Sequence, residues 1–355
     1  MRLEAGTDLD FLSALVHGRR SRLAEGSRLD ELCRLRTVAE LVQAIAPEMP
    51  VETVAGLQRR LVSNLAKELA NVAGHLGDGC GARVVEWLGA RLQAENLKVL
   101  VRGMVTGRPL AALQEFIVPL ATPFAIDLEG LAGSDSVETF IGRVPSAPLR
   151  EGLQAAAPVY DRSRKSFFLE AGLDKGYLVE LLERAGRVRQ GEGLKQLADQ
   201  ETDMFHLALA ARGRLLYGLK AEDLSAFHVD GAKVDRKVFG AMLAAASAGE
   251  LASLAATRVI DLLPALKAAE GPAQPDGGLT PAALEALALE RFHRLANRIF
   301  RRTPVGLDVV AAYVALVRIE LANLITLSEG IRAAAAPEAI RRRLIPRQAP
   351  GASGV

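Results

Sequence analysis

Apolar residues recur at three- and four-residue steps along almost the whole chain, and strict alternation is nearly absent. That period belongs to amphipathic helices, not strands. The clearest stripe comprises Val310, Tyr313, Val314, Val317, Leu321, Leu324 and Ile325, with Arg318 and Glu320 off it. It predicts a helix over about 306–330, stopped by Gly330. A second stripe, from Val84 through Leu88, Leu92 and Val99, predicts a helix ending at Gly103, with Arg102 in its last turn where a cation suits the helix dipole. Thr280-Pro281 reads as a helix start, a hydroxyl cap followed by proline at the first helical position. Ahead of it, Gly271 to Gly278 reads as a loop, and residues 347–355 read as a disordered tail. Further breaks fall at Pro119–Pro123, Gly130–Ser136, Val144–Pro148 and Asp230-Gly231.

Three segments share one plan. Glu95-Asn96-Leu97 leads to Arg102-Gly103, Glu201-x-Asp203-Met204 leads to Arg212-Gly213, and Glu320-x-x-Asn323-Leu324 leads to Gly330. The central positions Asn96, Asp203 and Asn323 lie 107 and 120 residues apart, close to a third of the 355-residue chain. Such spacing suggests three helical units.

Composition narrows the picture. About a third of the chain is Ala plus Leu and aromatics are only 5%, which suits stacked helices and largely excludes an all-β fold. Lys+Arg 44 against Asp+Glu 42 is too balanced for a general nucleic-acid binder. Mean hydropathy of +0.16 raises the question of a membrane span. The best run, Ala311–Leu327, carries Arg318, Glu320 and Asn323, each expensive in hydrocarbon, and Met1–Asp8 has no signal-peptide core. The expectation is a soluble, cytoplasmic chain with Cys33 and Cys80 as free thiols.

Catalytic signatures are missing. His17, His75, His206, His228 and His293 form no ligand pair on one helix face, and no phosphate-binding loop or nucleophile elbow occurs. Gly77-Asp78-Gly79-Cys80-Gly81 reads as a turn, and the acids read mostly as solvated helix faces. The sequence therefore predicts no catalytic, cofactor or metal site. Three arginine clusters are the candidate partner contacts: Arg19, Arg20 and Arg22; Arg301 and Arg302 with Arg298; and Arg341, Arg342 and Arg343. They suit an acidic protein or anionic headgroups better than RNA, because no aromatics interleave them to stack bases.

Four stretches, in order, carry a family resemblance. They are Phe11-Leu12-Ser13-Ala14-Leu15-Val16-His17-Gly18-Arg19-Arg20-Ser21-Arg22-Leu23 with Leu29–Cys33 and Thr37–Leu41; Glu95–Gly103; Phe167-Phe168-Leu169-Glu170 with Glu201-x-Asp203-Met204-Phe205; and Arg318-x-Glu320-x-x-Asn323-Leu324 with Ile340-Arg341-x-x-Leu344-Ile345-Pro346. Over nearly the whole chain this resembles the C subunit of vacuolar- and archaeal-type rotary ATPases, called d in eukaryotes. His17 stands where that family often has arginine, and the Pro272–Gly278 segment looks like a local insertion. The resemblance implies an all-α, funnel-like assembly of three helical repeats about a pseudo-threefold axis, here 1–123, 124–231 and 232–346. It further implies a non-catalytic adaptor, peripheral on the cytoplasmic face of the membrane, joining the membrane c-ring to the central shaft made by the D and F subunits. A soluble helical scaffold binding other proteins is the alternative. A solenoid would repeat every ~34–47 residues, not in thirds.

Overall fold

The computed structural model describes residues 4–47, 53–77, 79–261 and 279–346. They form α1 (Glu4–Arg20), α2 (Ser27–Leu32), α3 (Val38–Ile45), α4 (Val54–Gly74), α5 (Cys80–Thr106), α6 (Leu110–Leu113), α7 (Leu128–Ala132), α8 (Val137–Arg143) and α9 (Ala147–Ser163). The order continues with α10 (Ser166–Gly186), α11 (Glu192–Ala208), α12 (Ala221–Ser225), α13 (Arg236–Ala244), α14 (Ala248–Ala255), α15 (Pro281–Arg302), α16 (Leu307–Arg332) and α17 (Pro337–Arg341). A π-helical stretch, Leu209–Leu216, prolongs α11. No strand occurs among the described residues; one isolated bridge joins Ala256 to Ile260. The all-α expectation holds. The Gly271–Gly278 loop and the 347–355 tail lie outside the described residues.

Long helices pack in a closed order: α5 on α10, α10 on α11, α11 on α16, α16 on α4, and α4 back on α5, with α15 against both α11 and α16. Local chemistry sets their ends. Thr53 and Thr280 accept hydrogen bonds from the N–H groups of Gly56 and Ala283, capping α4 and α15, the second as the Thr280-Pro281 signal predicts. Asp308, at the start of α16, instead caps α11, accepting from the Gly193 and Leu194 N–H groups at 2.9 Å each. Helix α16 has the length and apolarity of a membrane span, with a mean hydropathy of 1.7 over its most apolar window, yet 61% of that window is buried inside the molecule.

The three sequence segments build the same local construction three times. Asn96 of α5 donates to the Val118 carbonyl at 2.7 Å and accepts from its N–H at 3.0 Å. Asn323 of α16 does the same with Ile345, at 2.5 and 2.8 Å. Asp203 of α11 accepts from the Val234 and Lys233 N–H groups at 2.8 and 3.3 Å. Each residue ties a returning loop to the middle of a long helix, and each is buried. Asn96→Ala would strand both polar groups of Val118 in the interior, an expected loss of about 2 kcal/mol. Urea unfolding of the variant checks it.

Two predicted helix ends need correction. Helix α5 runs past Gly103 to Thr106 and turns at Gly107 (φ 65), and α16 runs past Gly330 to Arg332 and turns at Ala334 (φ 51). Gly103 and Gly330 are packing positions. A Cβ on Gly103 would sit 2.2 Å from Leu113, and one on Gly330 would sit 2.6 Å from Ile340. Gly213 plays the same part beneath Leu224, at 2.9 Å. After each of these glycines the chain turns left-handed, at Gly107, Gly218 and Ala334, and a short helix, α6, α12 or α17, folds back over it. Similarly, Cys80 and Gly81, expected in a turn, open α5.

Candidate functional site

A cleft of about 960 Å³ lies among α5, α10, α11, α15 and α16. Its wall is charged. Arg102 of α5 forks onto Glu170 of α10, with Nε and Nη2 donating at 2.9 and 2.6 Å. Arg212, at the end of the α11 rod, makes the same fork with Glu285 of α15. Deeper in, Arg318 of α16 donates to both Glu201 oxygens at 2.8 and 2.6 Å. Asp174 of α10 meets Arg91 at 2.8 Å and Lys98 at 2.6 Å, and both cations also reach Glu95, at 3.0 Å each.

Every carboxylate in this wall therefore faces a cation, and each fork crosses between helices distant in sequence. Burial pushes the Glu95 carboxyl up, but Arg91 and Lys98 outweigh it and bring it down to about 2. Burial likewise opposes ionisation of Glu201, and the Arg318 guanidinium overrides it, so its value lies below the usual carboxylate range. Neither Glu95 nor Glu201 is poised as a proton donor or acceptor near neutral pH. Among the described residues no group of three or more His, Cys, Asp and Glu side chains could hold a metal ion. Phe167, Tyr217, Met204, Phe205 and Leu289 supply apolar surface between the forks.

The predicted arginines lie elsewhere. Arg19 pairs with Glu68 at 2.7 Å, and Arg20 pairs with Glu25 at 2.6 Å, donates to Asn297 at 2.9 Å and lies over the Phe300 ring. His17 packs on Phe300 and meets the Pro304 carbonyl at 3.1 Å. The end of α1 and the end of α15 are thus neighbours, and the exposed Arg22, Arg301 and Arg302 flank this junction. Arg341 pairs with Asp30 of α2 at 2.5 Å, while Arg342 and Arg343 are exposed. The structure brings the first two clusters together and places the third on α2.

Sequence reasoning missed two features. The first is the charged wall, whose pairs between helices join residues 68–117 apart. The second is a buried pair of stacked imidazoles, His206 and His228, with centroids 4.7 Å apart. His206 accepts from the Val229 N–H at 3.0 Å, and burial lowers its proton affinity.

These features define a class: an all-helical protein with a broad cleft whose acids are already paired with its own cations. Within that class the chain belongs to the ATP synthase (C/AC39) subunit family, whose model matches residues 12–343. That family consists of subunits of V/A-type ATP synthases. It is similar to the C subunit of the V-type ATP synthase of Deinococcus radiodurans, with 27% identity over 220 residues, spanning 58% of this chain and 61% of that relative. It is also similar to the C subunit of the A-type ATP synthase of Methanocaldococcus jannaschii, with 23% identity over 348 residues, 94% of this chain and 86% of the relative. Both relatives are C subunits by name, as the sequence resemblance implies.

Proposed function

We propose that the chain is the non-catalytic central-stalk adaptor of its rotary ATPase, peripheral on the cytoplasmic face, joining the c-ring to the D–F shaft. The observation that carries this reading is the charge-walled cleft in a chain of this family. A cleft with alternating fixed charges and apolar patches can hold a helical shaft in one orientation. The three recurring helix-and-loop constructions support the funnel of three repeats, 1–123, 124–231 and 232–346. The exposed arginines Arg22, Arg301 and Arg302, at the junction of α1 and α15, supply a basic patch for the ring.

Stiffness is what such a part needs. A proton crossing ~150 mV releases about 3.5 kcal/mol, and several such steps must pass through the adaptor without being lost in bending. Close-packed helices tied by bidentate ion pairs resist that bending. A mild-detergent pull-down of the tagged chain from its own membranes tests the assignment. Recovery of c-ring and shaft proteins is expected; recovery of neither overturns it. Charge reversal in Arg301→Glu/Arg302→Glu is expected to cut c-ring recovery at least tenfold and leave shaft recovery unchanged.

A further inference from the structure

The three corners, where a long helix turns and a short helix folds back over a glycine, align residue by residue from those glycines. After Gly103 the left-handed residue is Gly107, and the next N–H, that of Arg108, donates back to the Gly103 carbonyl at 2.9 Å. After Gly330 the same parts are Ala334 and the Ala335 N–H, at 3.0 Å. After Gly213 they are Gly218 and the Leu219 N–H, at 2.8 Å, and the turn holds one residue more. That extra residue falls where α11 widens into the π-helical stretch Leu209–Leu216, the form in which a helix absorbs a single insertion.

Counting back from the glycines gives corner two a pin other than Asp203. Asn96 and Asn323 each stand seven residues before their glycine, and in corner two that position is His206. The amide that each one holds is equivalent too. Val118 and Ile345 stand 15 residues after their glycines and Val229 stands 16 after, the difference being the extra residue. The Val229 N–H donates to His206 Nε2 at 3.0 Å, as the Val118 and Ile345 N–H groups donate to the Asn96 and Asn323 oxygens at 3.0 and 2.8 Å. Asp203 holds the same loop further on, at Lys233 and Val234.

An amide oxygen accepts whatever the pH, whereas an imidazole nitrogen accepts only while it is unprotonated. With Nε2 accepting, the ring's own proton sits on Nδ1, which has no hydrogen-bond partner and lies 3.8 Å from Asp203 Oδ1. A second proton has to enter at Nε2, directly against the Val229 N–H. The ring is fully buried, stacked on His228 at 4.7 Å with Phe239 at 5.0 Å. The charged and titratable groups around it are Asp203 of α11, His228 and Asp230 of the returning loop, Arg236 of α13, which forks onto Asp230, and Lys175 of α10, which donates to the Ala226 carbonyl. Burial holds the His206 value below the ordinary 6.5; Asp203 pulls it up and His228 pushes it further down.

We propose that His206 is a pH switch confined to corner two: acidification releases the loop 226–234 from α11, while corners one and three, pinned by asparagine, stay closed. Opening lets the ring turn out and take a proton at its ordinary affinity, a proton that the closed corner refuses. The closed state is therefore fully favoured above 6.5 and loses ground as pH falls below it. Corner two carries Arg212 of the cleft wall and Leu224 over Gly213, so release there loosens one side of the cleft.

Hydrogen exchange of the full chain, read residue by residue and corrected for the intrinsic effect of pH, carries its own controls. Between pH 7.5 and pH 5.5 the opening constant of the Val229 amide is expected to rise about five- to tenfold, and those of Val118 and Ile345 to change by less than about twofold. His206→Asn, which gives corner two the residue of the other corners, is expected to abolish the rise. Nitrogen NMR of the histidine rings reads the switch without any substitution: His206 is expected to carry its proton on Nδ1 at pH 7.5. A proton on Nε2 at that pH, no rise at Val229, a rise of equal size at all three amides, or a rise that survives in His206→Asn overturns the switch.

Discussion

Gly172→Ala is expected to cost about 3–5 kcal/mol, among the largest losses available from adding a single methyl group. Helices α9 and α10 cross so closely that a Cβ on Gly172 would lie 2.5 Å from the Gly152 carbonyl oxygen and 2.7 Å from the Ala156 Cβ. The contact is reciprocal: a Cβ on Gly152 would lie 2.1 Å from the Gly172 oxygen, and one on Gly176 would lie 2.2 Å from the Pro148 oxygen. The obstacle is helix backbone, which cannot rotate away as a side chain can, so the two helices must part along their length. Helix α10 also packs on α5 and α11 and carries Glu170 and Asp174 of the cleft wall, so the disturbance reaches the charged site. Gly240→Ala is the control. Gly240 lies in α13 with nothing within 4 Å of its missing Cβ, and alanine there should stabilise by about 0.5–1 kcal/mol through helix propensity alone. Thermal unfolding of both variants decides: Gly172→Ala should melt roughly 5 °C lower and Gly240→Ala no lower than the parent. A small shift for Gly172→Ala would mean that the two helices can part at little cost.

That crossing shows what the sequence could and could not disclose. Period 3.6 marked the long helices, and Thr280-Pro281 marked a helix start, because both signals act within one or two turns of chain. The shared plan around Asn96, Asp203 and Asn323 was legible for the same reason, and each of the three residues proves to pin a returning loop. Glycines were misread where the reason for them is tertiary. A glycine in a helical pattern looks like a stop, and only the structure shows Leu113 or Ile340 lying over it. The cleft was invisible on the same ground. Acids at helical spacing read as a solvated face, but Glu201 meets a guanidinium 117 residues away and Asp174 one 83 residues away. The arginine clusters were visible because they are local; Arg19, Arg20 and Arg341 spend much of their charge on intramolecular partners.

Arg318→Met is expected to destabilise the protein by about 3–5 kcal/mol, whereas Arg318→Met/Glu201→Leu should be close to neutral. The pair joins α16 to α11, with side chains only 20% and 12% exposed. Removing the guanidinium leaves a carboxylate with no fork to accept, in a site where burial already penalises its charge. Removing both replaces two costly desolvations with packing against neighbours such as Leu88 and Val314. The pH dependence gives an independent check. Glu201 has its folded value lowered from 4.5, so the stability it contributes is fully present above that unfolded value and is lost as pH falls through the lowered folded one. Urea midpoints measured from pH 7 down to pH 3 should therefore fall more steeply for the parent than for the double variant. Arg318→Met alone should begin lower at pH 7 and lose less on acidification, because protonation relieves its unpaired charge. Parallel curves for all three would assign the stability of this region to its apolar packing. The expected divergence would give the ion pair a second effect: it specifies how α11 and α16 meet, so that, in the adaptor role proposed above, a torque applied at the cleft would be carried by a joint with one geometry.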